Sequence, residues 1–244
     1  MKIYIKIFIL LLLFENLYSY DADEILKKVD ENLFFETIKY DGAMKIKKPN
    51  RPNEIIKTFK AFAKGKNKFF IEFTNPGDRG TRYLKLKNEL WVKGAYAERA
   101  DKISGHLLRE PMMGSDFSYE DAMENEKLIE KYLPKIVGTE IVNNQECIKL
   151  ELTAKLKEIN YPKRILWVSE KNFVPLKIQY FALSGILLKE MEVLEIRNFD
   201  GKYLPTKIKM INKQRDSYTL FEMENVILNK PLSDNIFSKQ KLEE

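Results

Sequence analysis

The residue types with reactive potential are few, and most crowd into one stretch, "GHLLREPMMGSDFSYED", residues 105–121. Ser115 and Asp116 stand together there, with His106 nine residues upstream and the only histidine of the chain. Serine, histidine and an acid are the parts of nucleophilic acyl transfer: a hydroxyl attacks, an imidazole takes its proton, and a carboxylate orients the imidazole. The spacing departs from that chemistry. A nucleophile elbow reads G-x-S-x-G on a strand-to-helix turn, and "MGSDF" lacks both the closing glycine and the strand before it. Metal chemistry is poorer still, because His106 and the single cysteine, Cys147, lie 41 residues apart and supply no zinc cluster. The acids of "SYEDAMENE" lack the D-x-[DN]-x-[DN]-G calcium loop and suit the first turn of a helix, where negative charge is favourable. "NPGDRG" has no following Lys-Ser/Thr and reads as a turn instead of a phosphate loop. Acids are plentiful, yet nothing singles out a pair for glycoside hydrolysis. No catalytic residue, metal ligand or cofactor is assigned, and an enzyme is not expected.

The 244 residues are 44% hydrophobic and 12% aromatic, enough apolar material for one substantial core. One cysteine excludes an internal disulfide, so stability must come from that core. The chain opens "MKIYIKIFILLLLFENLYSY", with Lys2 and Lys6 before an apolar run from Ile7 to Phe14. That run is shorter than the roughly 20 residues a membrane span needs and has the form of a secretory signal. Cleavage is placed after Ser19, leaving residues 20–244 as a single exported domain; with no cysteine at that point, lipidation there is not expected. Removing residues 1–19 takes away Lys2, Lys6 and Glu15 and changes the net charge from +6 to +5. The basic residues are dispersed along strand-like stretches, a solvated face rather than a nucleic-acid surface.

These residues must be positioned by a largely β scaffold. "DADEILKKVDENLFF", residues 21–35, places Ile25, Leu26, Val29 and Leu33 at helical spacing behind a capping aspartate. From Tyr40 to Ser104 the period changes to two, with turn-forming "KPNRPN", "KGKN" and "NPGDRG" between the alternating runs. Residues 105–133 interrupt this pattern with Pro111, Gly114 and a short helix whose Ser118 and Asp121 form an approximate capping box. Strands resume after Pro134, with Asn-Asn, Ser-Gly and Asp-Gly hairpin signals, and a short charged tail caps the fold. The expected architecture is mainly β with helices, α+β in class: an incomplete antiparallel barrel with an N-terminal helix and an inserted helical lid segment.

An incomplete barrel has a concave face to cover. Strand alternation assigns to it Phe59, Phe69, Ile71, Phe73, Leu84, Leu86, Trp91, Ile178, Tyr180, Leu194, Ile196, Ile208 and Met210. A one-residue slip would exchange these for their neighbours. Flexible, polarizable methionines in an irregular segment suit a mobile cover for ligands of variable shape, and a filled core is the competing reading.

"MMGSDFSYEDA", residues 112–122, resembles the "mGSDfSyeDl" motif of the outer-membrane lipoprotein-sorting family related to LolA. "GTRYLKLKNELWVKGAYAERADKIS", "VPLKIQYFALSGILLKEMEV", "YLPTKIKMIN", "YTLFEMENVILN" and "LSDNIFSKQKL" resemble further parts of it, so the likeness runs over most of residues 22–242. The resemblance implies a monomeric periplasmic carrier that needs no cofactor. It would take lipoproteins from an inner-membrane release complex, shield their acyl chains in the concavity and pass them to an outer-membrane acceptor. On this reading Met112, Met113 and Phe117 touch acyl chains, Gly114 supplies a turn, and Ser115 or Ser118 with Asp116 caps a helix. A lipoprotein- or lipid-sensing regulator of the same fold and a periplasmic hydrolase are the alternatives. One departure matters: the Arg-Pro latch of type LolA carriers is replaced by "KGKNK", with Lys66 the nearest cation and Arg79, Arg82 and Arg99 elsewhere.

Overall fold

A computed structural model describes residues 21–124 and 127–244, with only the backbone of Met123; the expected signal segment 1–19 lies outside the described residues. Helix α1 (Ala22–Leu33) begins with the anticipated aspartate: Asp21 accepts from the Glu24 N–H, and Glu24 answers the Asp21 N–H, a complete capping box. Its Ile25, Leu26 and Val29 are fully buried. Leu33, expected on the same stripe, is 48% exposed at the helix end.

Strands β1 (Thr37–Lys47), β2 (Ile55–Lys64), β3 (Lys68–Phe73), β4 (Arg82–Leu86), β5 (Glu89–Lys93) and β6 (Asp101–Ile103) form a meander. A second meander follows as β7 (Tyr132–Val142), β8 (Gln145–Ala154), β9 (Lys163–Ser169), β10 (Pro175–Phe181), β11 (Leu187–Phe199), β12 (Lys202–Asn212) and β13 (Ser217–Leu228). Antiparallel pairing of β1 with β13 joins them into one 13-stranded sheet, in the order β6 to β1, then β13 back to β7. β6 and β7 end the sheet unpaired with each other, so it curves without closing. The hairpin signals act as read: Asn143 and Asn144 both have positive φ, as do Asp200 and Gly201, the backbone that two-residue hairpins require.

The order has a geometric consequence. The connection from β6 to β7 must travel from one edge of the sheet to the other. It does so across the concave face, as two 3-10 turns (Gly105–Arg109 and Met112–Gly114) and helices α2 (Tyr119–Met123) and α3 (Leu128–Lys131). The charged tail covers the opposite face. A 3-10 turn, Asp234–Phe237, and α4 (Lys239–Glu243) lay Phe237 and Leu242 over Phe70 and Leu84.

Candidate functional site

The concave face carries two apolar clusters side by side. One gathers Met44, Phe59, Ile71, Phe73 and Tyr83 from β1–β4 under Met112. The other lies beneath α1 and holds Leu150, Leu166, Ile178, Tyr180 and Met210 from β8–β12. Gly42 sets the packing of the first: a Cβ there would lie 2.3 Å from the Phe59 ring, so only glycine lets that ring cross β1. Phe59 then packs on Phe73, with centroids 5.3 Å apart, and Phe117 stands edge-on to Phe221 at 6.0 Å.

The expected concave residues divide between the two faces. Phe59, Ile71, Phe73, Ile178, Tyr180 and Met210 are buried on the concave side, Phe69 lies at the margin of the first cluster, and Ile208 pairs with Phe221. Leu84, Leu86 and Trp91 are corrected to the other face, where they pack with Phe237 and Leu242. Tyr83 takes the inward place on β4, since side chains of one strand alternate. Ile196 also belongs to the other face, against Trp167 and Leu176. Leu194 is 47% exposed and borders a groove with Trp167 and Ile141; a bulge after Val193 interrupts the alternation there. Met44, Tyr83, Leu150, Leu166, Met191 and Val193 are among the inward residues that alternation counting missed.

The lid stretch is fastened by polar groups and packs with apolar ones. Met112 is 5% exposed, and Met113, in left-handed backbone at φ 53°, accepts a hydrogen bond from the Tyr83 hydroxyl at 3.1 Å. Gly114 follows at φ 77° and completes the turn. Ser115 Oγ donates to the Met112 carbonyl at 2.7 Å and is wholly buried. Asp116 does not cap a helix, as was expected. Its carboxylate accepts from Ser217 Oγ at 2.5 Å and Thr219 Oγ at 2.7 Å, bolting the segment to β13, with Lys48 Nζ 3.9 Å away. The cap belongs to Ser118, which accepts from the Asp121 N–H while Asp121 accepts from the Ser118 N–H. Asp121 also accepts from Tyr161 and Lys189, at 2.8 and 2.6 Å, tying α2 to the second meander. His106 is exposed in the first 3-10 turn, whereas Ser115 and Asp116 are buried and held by hydrogen bonds to Met112, Ser217 and Thr219.

A second fastening was not anticipated. Arg164 on β9, 4% exposed, makes two hydrogen bonds of 2.8 and 2.7 Å to Glu124 just after α2. Its guanidinium sits among the rings of Tyr132, Tyr161 and Tyr180, at 4.8, 5.3 and 5.1 Å from their centroids and within cation–π reach. Burial works against its charge, but the Glu124 carboxylate holds the guanidinium protonated. Burial likewise raises the phenols of Tyr132, Tyr161 and Tyr180 well above their usual range, so these rings are neutral partners. None of the three arginines singled out from the sequence does this. Lys66 does contribute, through an ion pair of 3.0 Å with Glu130 on α3, and Asp30 of α1 caps α3 by accepting from the Leu128 and Ile129 N–H groups.

The segment therefore fills much of the concavity. Open space persists as a slot of about 210 Å³ between the end of α1 and the concave face, lined mainly by Leu33, Phe34, Ile38, Tyr40, Phe69 and Met223, with Lys66 and Lys85 also in its wall. That is below the roughly 300–1,000 Å³ typical of small-molecule sites. Among the described residues no cluster of His, Cys, Asp and Glu could hold a metal ion, and no helix is long and apolar enough to cross a membrane.

A family model described as "uncharacterized protein" matches residues 65–244. No curated protein matches the chain. Solved structures share the fold over most of its length. A DUF1329 family protein from Desulfovibrio piger superposes with a TM-score of 0.83 at 23% identity, over 91% of this chain and 97% of that one. A putative outer membrane lipoprotein-sorting protein domain from Vibrio parahaemolyticus gives 0.81 at 22%, over 91% and 98%. A LolA superfamily protein from Nitrosomonas europaea gives 0.75 at 25%, over 91% and 100%.

Proposed function

This chain belongs to the uncharacterized-protein family matched over residues 65–244, and from the fold it shares with lipoprotein-sorting relatives we propose that it is a member of the group related to LolA and carries lipoproteins by their acyl chains. The observation that carries this reading is the apolar slot on the concave face, the same face that the segment bearing Met112, Met113 and Phe117 covers. Each methylene taken from water contributes about 0.8 kcal/mol, so an acyl chain entering between that segment and the sheet is strongly held. Because no covalent step is involved, delivery consists of exchanging one apolar environment for another. On this reading cargo releases the polar bolts and lifts the segment from the sheet. In this scheme residues 1–19 export the protein to the periplasm, residues 20–244 act as one monomeric domain, and cargo passes from an inner-membrane release complex to an outer-membrane acceptor.

The test is native mass spectrometry of the protein with a triacylated lipopeptide and with the same peptide deacylated. A one-to-one complex that needs the acyl chains is expected. The Met112→Asp/Met113→Asp protein should remain folded and lose that complex. Capture that persists in the folded double variant would reject the role given to this segment. A folded native chain that ignores the lipopeptide would reject lipid carriage.

A further inference from the structure

A second cavity, of about 530 Å³, lies at the same C-terminal end of α1, where the helix meets the β9–β10 and β11–β12 turns. Among the described residues its walls carry Lys28, Lys127, Lys171 and Lys202 against a single acid, Glu31. The cleft is built by specific contacts. Asn32 of α1 donates to the Asn172 carbonyl at 2.7 Å and accepts from the Tyr203 N–H at 3.4 Å, locking helix and both turns together. Lys202 donates to the Phe34 carbonyl at 2.6 Å and so answers the negative end of the helix. Lys28 stands over the Phe173 ring at 4.6 Å, while Lys127 and Lys171 are solvent-exposed. Excess positive charge in a concave, partly apolar site concentrates anions.

The position of this cleft gives its ligand a second property. Phe34, 40% exposed, lines both the basic cleft and the apolar slot, so the two open side by side around one ring. We infer that the cleft is a phosphate site for an amphiphile, with Lys28, Lys127 and Lys171 receiving the phosphate of a lipid headgroup whose acyl chain passes Phe34 into the slot. This rests on the slot being an acyl-chain site, as proposed above, and extends it to ligands bearing a charged headgroup beside the chain.

Three monomeric probes of matched glycerol chemistry separate the contributions: a lysophosphatidylglycerol, a monoacylglycerol with the same chain, and glycerol 3-phosphate. Titration calorimetry of the full chain should show the phosphate-bearing lipid binding at least tenfold tighter than the monoacylglycerol. Raising the salt concentration should narrow the gap, since partly exposed charges are screened. In Lys127→Gln/Lys171→Gln the two lipids should bind alike, with monoacylglycerol affinity and thermal stability unchanged. Equal binding of both lipids to the native chain would overturn the phosphate site and leave the slot intact. Binding of neither lipid would remove the slot and this inference with it. Glycerol 3-phosphate binding as tightly as the phospholipid would assign the cleft to a free phosphate ester and refute the lipid assignment.

Discussion

Asp116→Ala should detach the bridging segment from the sheet while the sheet stays folded. The carboxylate is 2% exposed and is the shared acceptor of Ser217 and Thr219, themselves 2% and 0% exposed. A hydrogen bond to a charged group contributes about 1.5–3 kcal/mol, and a buried hydroxyl left unpaired costs about 1–3 kcal/mol. Some recovery comes from rotation of the two hydroxyls toward other acceptors, so about 3–4 kcal/mol is the loss to expect. Because each 1.4 kcal/mol is tenfold, local opening should become about 10²- to 10³-fold more frequent. Native-state hydrogen exchange reads this directly. The Met112 amide, bonded to the Phe117 carbonyl, and the Tyr119 amide, bonded to the Glu110 carbonyl, should accelerate by that factor. Amides joining β2 to β3 should hardly change. Asp116→Asn keeps one acceptor and offers the other hydroxyl a donor, so its effect should be intermediate. If the Met112 and Tyr119 amides keep their native rates in the alanine variant, or if the whole sheet accelerates with them, the bolt as described does not exist.

Three further outcomes follow from the same geometry. Glu124→Leu leaves Arg164 buried without its partner and should cost about 3–5 kcal/mol, whereas the Glu124→Leu/Arg164→Met pair should recover a good part of that in denaturant titration; a double variant no more stable than the single would contradict the account. Gly42→Ala forces the Phe59 ring off β1 and should lower stability by about 1–3 kcal/mol, with near-ultraviolet dichroism reporting the displaced aromatic cluster; an unchanged spectrum and midpoint would show that the ring has room to move. The Glu222 carboxylate is held below its usual range chiefly by the hydrogen bond from Lys207, with burial opposing and Lys45 adding to it. Its contribution is therefore complete above the unfolded carboxylate value of about 4.3 and is lost as pH falls through the lower folded value. Glu222→Gln should flatten the acid limb of the stability profile in that window, and an unaltered limb would exclude Glu222 as a source of acid sensitivity.

Local chemistry made a large part of this molecule legible in its sequence. The Asp21 capping box, the helical stripe of Ile25, Leu26 and Val29, the Asn143-Asn144 hairpin and the Ser118–Asp121 cap all depend on residues within a few positions of one another. The period-two runs identified the sheet, and the Pro- and Gly-bearing interruption identified the bridging segment. Tertiary structure decided which face each run presents. On β4 the inward side chain is Tyr83 and not Leu84, because a leucine can equally fill the cover made by Phe237 and Leu242, 150 residues later. It also decided what Asp116 does. Beside Ser115 and a helix start, that residue reads as a cap or a catalytic acid. Its actual partners, Ser217 and Thr219, come within reach only when β1 pairs with β13 and the two meanders join. The same holds for Arg164, which sits in an ordinary strand until the fold sets Glu124 and three tyrosines around it. Propensity and capping act over a few residues and are written locally. A buried carboxylate or guanidinium acquires its role from whichever distant groups replace its water, and chain topology alone brings those groups to it.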